Sequence, residues 1–329
     1  MFSNPLRLAY EVARALMLAT LRMLTGRGTG QSWKIQVVLE LVRRDLASGP
    51  AGNDVVGYRN RERPTPIPGK LLRQVELGQI ELGGRVTLDV RPKGWTQEQG
   101  TILYFHGGGY CVCSAFTTHR GLIAHLALVS GRRVLAPDYR LAPEHPFPAA
   151  FDDAETCWHA LLDEGVPAER VALAGDSAGG GLTLATVVRL RDTGAPLPER
   201  VALLSPWVDL TLSHATVDQN AASDTLSREL LQWFANHLLQ GHDPGDPKVS
   251  PLFDDLAGLP PIRIQVGGAE TLVGEARDLK HRIEKAGGEV ILDEWPKMPH
   301  VFQVMAAMVP EANQAMDQLG DWLRRPGAG

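Results

Sequence analysis

The stretch Gly175-Asp176-Ser177-Ala178-Gly179 stands between a short apolar run at residues 171–174 and a helical pattern at residues 178–190. A G-x-S-x-G sequence in this context is typical of a sharp strand-to-helix turn that exposes a serine hydroxyl at its tip. Glycine suits positions 175 and 179, because a larger residue would collide where strand and helix approach each other. The stretch therefore predicts Ser177 as a nucleophile at the carboxyl end of a buried strand.

Apolar runs on both sides of this turn alternate with helical windows. Such alternation predicts the α/β class, with a mostly parallel central sheet and helices on both faces. An antiparallel hairpin is predicted at its start, because two earlier runs flank Gly83-Gly84. The predicted strands are residues 72–80 and 85–90 in the hairpin, followed by 101–105, 133–136, 171–174, 201–204, 262–266 and 290–295.

Two segments lie outside this alternation. Residues 1–47 form two amphipathic helical patterns and are followed by a Gly/Pro-rich stretch at 49–69 that predicts a linking loop. Residues 206–246, with a predicted helix at 227–239, are too long for a simple crossover. Ligands bind at the carboxyl ends of strands in open α/β sheets, so we expect both segments to form a helical cap there. The expected organisation is residues 1–70 as cap helices and linker, and 71–329 as the catalytic domain with a cap insertion at about 206–246.

The composition is that of an ordinary globular chain of 329 residues, 44% hydrophobic and 22% charged. A net charge of -5 gives no support for binding nucleic acid. The cysteines Cys111, Cys113 and Cys157 are too few for a disulfide framework, and the C-x-C pair lacks the second ligand pair of a zinc site. We therefore expect reduced thiols, a cytoplasmic location and no metal ion.

The N-terminal segment at residues 6–24 is apolar but is interrupted by Arg7, Glu11, Arg14 and Arg22. Its longest uncharged run, residues 15–21, is too short to span a bilayer, so no integral membrane segment is predicted. Two interpretations of this amphipathic helix stay open, packing against the protein body and docking on a membrane surface. A homodimer is a further open possibility.

A serine nucleophile needs a base, and the base needs a carboxylate that orients it. Among the histidines after the turn, only His300 directly follows the last predicted strand. His237 and His281 fall in helical windows, while His214 and His242 lie in the predicted cap insertion. His300 is therefore the predicted base.

The orienting acid should lie in the loop after the strand at 262–266. Glu270 occupies that loop, in Gly267-Gly268-Ala269-Glu270, and is the predicted acid. Glu275 and Asp278 lie further along the following helix and are predicted to be exposed, with Glu275 kept as the alternative acid. Asp293 lies within the last strand, from which it is poorly placed to reach a histidine beyond its end.

The run His106-Gly107-Gly108-Gly109 follows the strand at 101–105 directly. Bare backbone N–H groups in such a loop can converge on the oxygen of a tetrahedral acyl intermediate. We predict an oxyanion hole formed by the N–H groups of Gly108, Gly109 and Ala178. The alternatives are a plain tight turn and a phosphate loop, and the second is weak because no Lys-Ser/Thr follows.

Four motifs together resemble the hormone-sensitive-lipase group of α/β-hydrolase esterases, in its bacterial branch, family IV. They are residues 106–110, 138–150, 175–180 and 205–210. The resemblance implies an α/β-hydrolase fold under a two-part cap and hydrolysis of short to medium acyl-chain esters through an acyl-enzyme, with no cofactor. The group usually carries an aspartate in an Asp-Pro-Leu stretch where this chain has Glu270-Thr271-Leu272, and a glycine is common where it has Cys113.

The same resemblance implies that Asp176 hydrogen-bonds neighbouring backbone and that Asp138, Arg140 and Glu144 form a buried polar network. The implied substrate is a small-molecule ester. Lactone or amide hydrolysis by the same residues stays open. A ligand-binding receptor on this scaffold, as in the plant gibberellin receptors, lacks the histidine, so His300 argues against it.

Overall fold

A twisted sheet organises the computed structural model, which describes residues 5–24, 30–52, 54–62 and 64–324. Within these residues it has eight strands, in the order β1-β2-β4-β3-β5-β6-β7-β8. β1 pairs antiparallel with β2 and β2 with β4, and the remaining neighbours are parallel. The strands are Val75–Leu82 (β1), Arg85–Pro92 (β2), Thr101–Phe105 (β3), Arg133–Pro137 (β4), Val171–Asp176 (β5), Arg200–Leu204 (β6), Ile262–Gly267 (β7) and Val290–Trp295 (β8).

Helices cover both faces of this sheet. Along β3, Leu103 and Phe105 pack into the apolar cluster on one face, while Ile102 and Tyr104 pack into the cluster on the other, as the two-residue period of a strand requires. The predicted α/β class with a mostly parallel sheet is confirmed. The helices are Pro5–Leu24 (α1), Trp33–Gly52 (α2), Val55–Arg61 (α3), Gly69–Leu72 (α4), Arg120–Ser130 (α5), Ala149–Asp163 (α6), Ala178–Asp192 (α7), Thr216–Gln219 (α8), Arg228–Leu239 (α9), Val273–Lys285 (α10) and Pro310–Arg324 (α11).

The prediction of a loop over residues 49–69 is wrong in its first half. α2 continues to Gly52, and α3 follows within the stretch. Asp54 caps α3 by accepting a hydrogen bond from the Gly57 N–H at 2.7 Å. Val55 and Tyr58 are buried, so packing and a cap stabilise a helix that the local composition disfavours.

The first two helices pack against each other. Ala15 and Ala19, one turn apart on α1, are buried, and the Trp33 indole N–H donates to the Thr20 hydroxyl at 3.1 Å. Arg14 is exposed, whereas the side chains of Arg7, Glu11 and Arg22 lie outside the described residues. None of the described helices combines the length and apolar character needed to cross a bilayer.

Candidate active site

Ser177 occupies a strained turn between β5 and α7, with φ 53° and ψ -123°. Strand and helix meet so closely that a Cβ placed on Gly179 would lie 2.0 Å from the Phe105 carbonyl oxygen, and one on Gly175 would lie 2.3 Å from the Gly179 oxygen. The Ser177 N–H donates to the Leu204 carbonyl at 2.9 Å, which fixes the turn to β6. This geometry holds the Ser177 hydroxyl at the carboxyl edge of the sheet.

The loop after β8 brings His300 to this serine. Its Nε2 lies 2.8 Å from Ser177 Oγ, a distance at which the hydroxyl donates to the unprotonated ring nitrogen. The other late histidines have different surroundings: His214 faces Asp209 and Asp278, His237 bonds to the Trp233 carbonyl, His242 pairs with Asp246, and His281 is exposed.

Glu270 lies on the far side of the imidazole, in the loop after β7. Its Oε1 faces His300 Nδ1 at 3.3 Å. Its Oε2 accepts from the Gly267 N–H and from the Ser205 hydroxyl, both at 2.7 Å. The carboxylate is fully buried, so these donors replace the water that it loses. The structure therefore brings Ser177, His300 and Glu270 into one hydrogen-bonded chain.

Burial and the neighbouring polar groups shift the pKa values of His300 and Glu270 in opposite directions. Burial alone would lower the pKa of His300, but the hydrogen bond and charge of Glu270, with the charges of Asp224 and Asp176, raise it above its ordinary value. Burial raises the pKa of the Glu270 carboxyl, and its hydrogen bonds to His300 and Ser205 offset only part of that rise.

The glycine run forms a loop against the serine. Gly108 and Gly109 have φ values of 119° and 59°. A Cβ on Gly107 would lie 3.0 Å from Ser177 Cβ, so the run passes directly beside Ser177. Ala178 begins α7, whose N-terminal N–H groups lack helical partners. The three predicted oxyanion donors thus belong to two segments that meet at Ser177.

Buried side chains hold this loop from behind. The His106 Nδ1–H donates to the Gly107 carbonyl at 2.7 Å, and the Tyr139 hydroxyl donates to the His106 carbonyl at 2.6 Å. Burial and the nearby charge of His119 lower the pKa of His106 to about 3, so its ring is neutral. The His106 ring also stacks on Tyr139, with centroids 4.4 Å apart.

Asp176 connects the glycine loop to the turn that carries Ser177. Its Oδ1 accepts from the Gly107 N–H at 3.0 Å and from the Tyr104 hydroxyl at 2.6 Å, and its Oδ2 pairs with His119 Nε2 at 3.1 Å. The expected bond to neighbouring backbone is present. The contacts of Tyr104 and His119 were not predicted from the sequence, because neither position belongs to a catalytic motif.

Glu275 is buried, so the prediction of an exposed charge is wrong. Its exposed fraction is 2%, since it lies on the stripe of α10 that buries Leu279 and Ile283. Its Oε1 accepts from the Val208 N–H at 3.0 Å. Burial raises the pKa of this carboxyl well above its ordinary value. The structure thus places the carboxylate of Glu275, the alternative acid, against the loop that follows β6 and not against His300.

The implied buried network of Asp138, Arg140 and Glu144 is also incorrect. Glu144 is exposed and pairs with Arg59. Arg140 is half-buried and pairs with Asp153 on α6 at 2.8 Å. Of the three residues, only Asp138 binds a segment near the site: its Oδ1 accepts from the Ala115 N–H at 3.0 Å.

Cys111, Cys113 and Cys157 are free thiols. Burial raises the pKa of the Cys157 thiol to about 12 and that of Cys111 further. Within the described part of the chain, no three His, Cys, Asp or Glu side chains group as metal ligands would.

Comparison with known proteins agrees with this geometry. A family model described as the alpha/beta hydrolase fold matches residues 102–304. An acetyl-hydrolase of Streptomyces hygroscopicus is 43% identical over 251 residues, which cover 75% of this chain and 82% of that protein. An esterase of Acinetobacter venetianus is 39% identical over 223 residues, covering 67% of this chain and 73% of the relative.

Solved structures give the same result. An esterase from the bacterial hormone-sensitive lipase family superimposes with a TM-score of 0.77 at 34% identity, covering 99% of both chains. Crystals of EstE5 soaked with p-nitrophenyl butyrate contain a chain that superimposes with a TM-score of 0.80 at 32% identity, covering 91% of this chain and 100% of that one.

Proposed function

Since the chain belongs to the α/β-hydrolase family, in its bacterial hormone-sensitive-lipase group, and is a carboxylic ester hydrolase, we propose that Ser177, His300 and Glu270 are its catalytic triad. The observation that carries the proposal is the contact of 2.8 Å between Ser177 Oγ and His300 Nε2. Nucleophile, base and acid follow one another along the chain in the order typical of this fold.

In the proposed reaction, the Ser177 oxygen attacks the acyl carbonyl carbon while His300 Nε2 accepts the hydroxyl proton. The carbonyl oxygen becomes an oxyanion, which the N–H groups of Gly108, Gly109 and Ala178 bind. One such donor contributes about 3 kcal/mol in the transition state. The intermediate then releases the alcohol, which takes the proton from His300. Glu270 holds Nδ1 protonated and stabilises the imidazolium throughout.

The resulting acyl-enzyme is hydrolysed by the reverse sequence. Water attacks the acyl carbon while His300 accepts its proton, and the second oxyanion collapses to release the carboxylic acid and restore the Ser177 hydroxyl. The site residues supply every proton transfer, so the cycle needs no added redox or metal chemistry.

We propose short to medium acyl chains as the preferred substrates. The Phe234 ring of α9 lies so close to the oxyanion loop that a Cβ on Gly109 would fall 2.3 Å from its Cγ. Ser177 is only 9% exposed. Both features limit the room for bulky acyl groups. The acetyl-hydrolase name of one relative and the p-nitrophenyl butyrate soaked into EstE5 crystals agree with this preference.

The test is pre-steady-state hydrolysis of p-nitrophenyl esters of increasing acyl length. We expect a burst of about one nitrophenol per chain, as an accumulating acyl-enzyme requires. Turnover should be highest at the short end of the series. Ser177→Ala should remove both burst and turnover, and a variant that keeps the full rate would overturn the proposal. The same preparations, tested on lactones and amides, decide between ester hydrolysis alone and a broader range.

We propose that the protein acts in the cytoplasm on small esters and binds no nucleic acid. The net charge of -5 and the free thiols support this assignment. Fractionation of the source cells tests the location, and light scattering decides between a monomer and a homodimer.

A further inference from the structure

Residues 220–224 of the insertion, here called the bridge segment, bind the loop that carries Glu270. The Asn220 amide N–H donates to the Glu270 carbonyl at 2.8 Å, and the Ser223 hydroxyl donates to the Ala269 carbonyl at 2.8 Å. Asp224 Oδ2 accepts from the Thr271 N–H at 2.8 Å and from its hydroxyl at 2.9 Å. Three consecutive residues of the acid loop are therefore held by one short segment.

The same Asp224 carboxylate also binds the loop that carries the base. Its Oδ1 accepts from the His300 N–H at 2.9 Å, and from the Thr225 N–H at 2.7 Å. Asp224 is fully buried. One carboxylate thus connects the backbone of His300 to the residue that directly follows Glu270.

This connection sets the distance over which Glu270 orients the His300 ring and stabilises the imidazolium. The Glu270–His300 contact of 3.3 Å depends on the relative position of two loops from different strands. In enzymes a misplacement of about 1 Å can cost about a hundredfold in rate. Burying a carboxylate costs free energy unless hydrogen-bond donors replace its water. Asp224 accepts four hydrogen bonds, so it can hold the two loops in place, which an apolar residue could not.

α2 and the residue Gln31 just before it bind the bridge segment from the side of the N-terminal helices. Arg43 of α2 donates from Nε to the Asp224 carbonyl and from Nη2 to the Ala222 carbonyl, both at 2.5 Å. Gln31, just before α2, donates from Nε2 to the Ser223 carbonyl at 2.9 Å. α2 is therefore linked, through the backbone of the bridge segment, to the loops that carry Glu270 and His300.

We propose that Asp224 is a positioning residue for ester hydrolysis, which fixes Glu270 relative to His300, and that Arg43 holds Asp224 in place. The proposal rests on the proposed triad. It goes beyond that triad because it assigns a role to the insertion and to α2 that neither has in the chemistry itself.

Asp224→Asn tests this role with almost no change in shape. In this variant an amide nitrogen replaces one carboxylate oxygen, and it cannot accept from the N–H or hydroxyl donor that it faces. The loops that carry Glu270 and His300 should therefore move apart. We expect kcat to fall about 10- to 100-fold with KM changed less than about twofold, because the acid and base act after substrate binds. Asp218→Asn is the matched control, since Asp218 lies in the same insertion but pairs with Arg228 at the surface, and it should keep both constants.

A pH profile separates positioning from general destabilisation. The carboxylates that raise the pKa of His300 are Glu270, Asp224 and Asp176. Removing the charge of Asp224 should therefore lower this pKa, and the acid limb of kcat should move to lower pH in Asp224→Asn. A variant that lost only stability would keep the limb in place. An unchanged kcat with an unmoved limb, or a raised KM with full kcat, would overturn the proposal.

Arg43→Lys decides the question if Asp224→Asn does not fold. Lysine cannot donate to both carbonyls as the guanidinium fork does, so we expect a smaller loss of kcat, about three- to tenfold, at unchanged KM. Full kcat in Arg43→Lys would reject the support from α2. Organophosphate labelling of Ser177 in the wild type keeps the two proposals apart: without labelling the triad fails, and with labelling a negative result concerns Asp224 alone.

Discussion

At the scale of single residues, two buried glutamates near the end of β7 have different partners. Glu270 faces His300, and Glu275 accepts from the Val208 N–H. We expect Glu270→Gln to lower kcat by about 10⁴, as the loss of the orienting carboxylate does in another serine hydrolase. Glu275→Gln keeps an acceptor for Val208 and is the matched control. Steady-state kinetics of both variants test the assignment, which fails if Glu275→Gln is the damaging change.

The pH dependence of activity should follow from His300, the proposed base. The base must be neutral to accept the Ser177 proton, and its neighbouring carboxylates raise its pKa. The protonated form therefore persists to higher pH, and kcat/KM should rise through a midpoint above about 6.5, the ordinary value for histidine. Profiles with two esters of different reactivity should share this midpoint. A midpoint at or below 6.5 would show that the carboxylates do not act on the base as described.

Gly109 is predicted to tolerate no side chain. A Cβ would fall 2.3 Å from the Phe234 ring, and its φ of 59° disfavours any other residue. We expect Gly109→Ala to lower kcat/KM by at least about a hundredfold, the scale of losing one oxyanion donor. Phe234→Leu in the same chain should recover part of this loss.

The control for this variant is Gly84→Ala in the β1–β2 turn. Its φ is 73°, but nothing lies within 4 Å of the added Cβ. It should cost about 1 kcal/mol in the free energy of unfolding from backbone strain alone and keep full activity. Wild-type activity in Gly109→Ala would contradict the steric account of the oxyanion loop.

At the scale of elements, the strands could be predicted from the sequence far better than the N-terminal region. β3 and β8 have the predicted bounds. All five residues of β3 are buried, and such a continuous apolar run leaves a strong signal in the sequence. α3 could not be found, since its seven residues lie between a Gly/Pro-rich start and three prolines. Its stability comes from a cap and from contacts with distant residues, which local composition does not reveal.

Truncation tests whether the N-terminal helices form a wall of the site. Ile35 and Leu39 of α2 are buried, so deleting residues 1–47 should expose an apolar surface and promote aggregation. The soluble remainder should lose turnover of bulky esters, and should lose kcat generally because Arg43 is absent. Size-exclusion chromatography and the ester series measure both effects. A truncated enzyme that stays monodisperse with the full-length acyl preference would reject the cap.

A matched variant separates this role from a membrane-surface anchor. Met17 and Leu21 of α1 are 61% and 53% exposed, one turn apart. Under the cap account, replacing both with serine should leave ester kinetics unchanged, because α2 and its contacts remain. The anchor would be favoured by two results together: the double variant no longer binds liposomes, and the truncated chain keeps its ester kinetics.

At the scale of the whole molecule, the site is assembled from residues far apart in the sequence. Ser177, Glu270 and His300 could be predicted together because β5, β7 and β8 are parallel, and their carboxyl ends meet at one edge. Asp224 could not, since it lies in an irregular part of the insertion. No periodicity specifies where such a segment returns to the sheet, and only the three-dimensional structure reveals its contacts.

The proposed mechanism depends above all on Ser177 as the nucleophile of this esterase. Treatment with diisopropyl fluorophosphate, followed by intact mass and peptide mapping, tests this role. We expect one adduct per chain on Ser177, loss of activity in step with labelling, and no adduct in Ser177→Ala. An adduct on another residue, or full activity in a chain whose Ser177 is labelled or replaced, would contradict this role.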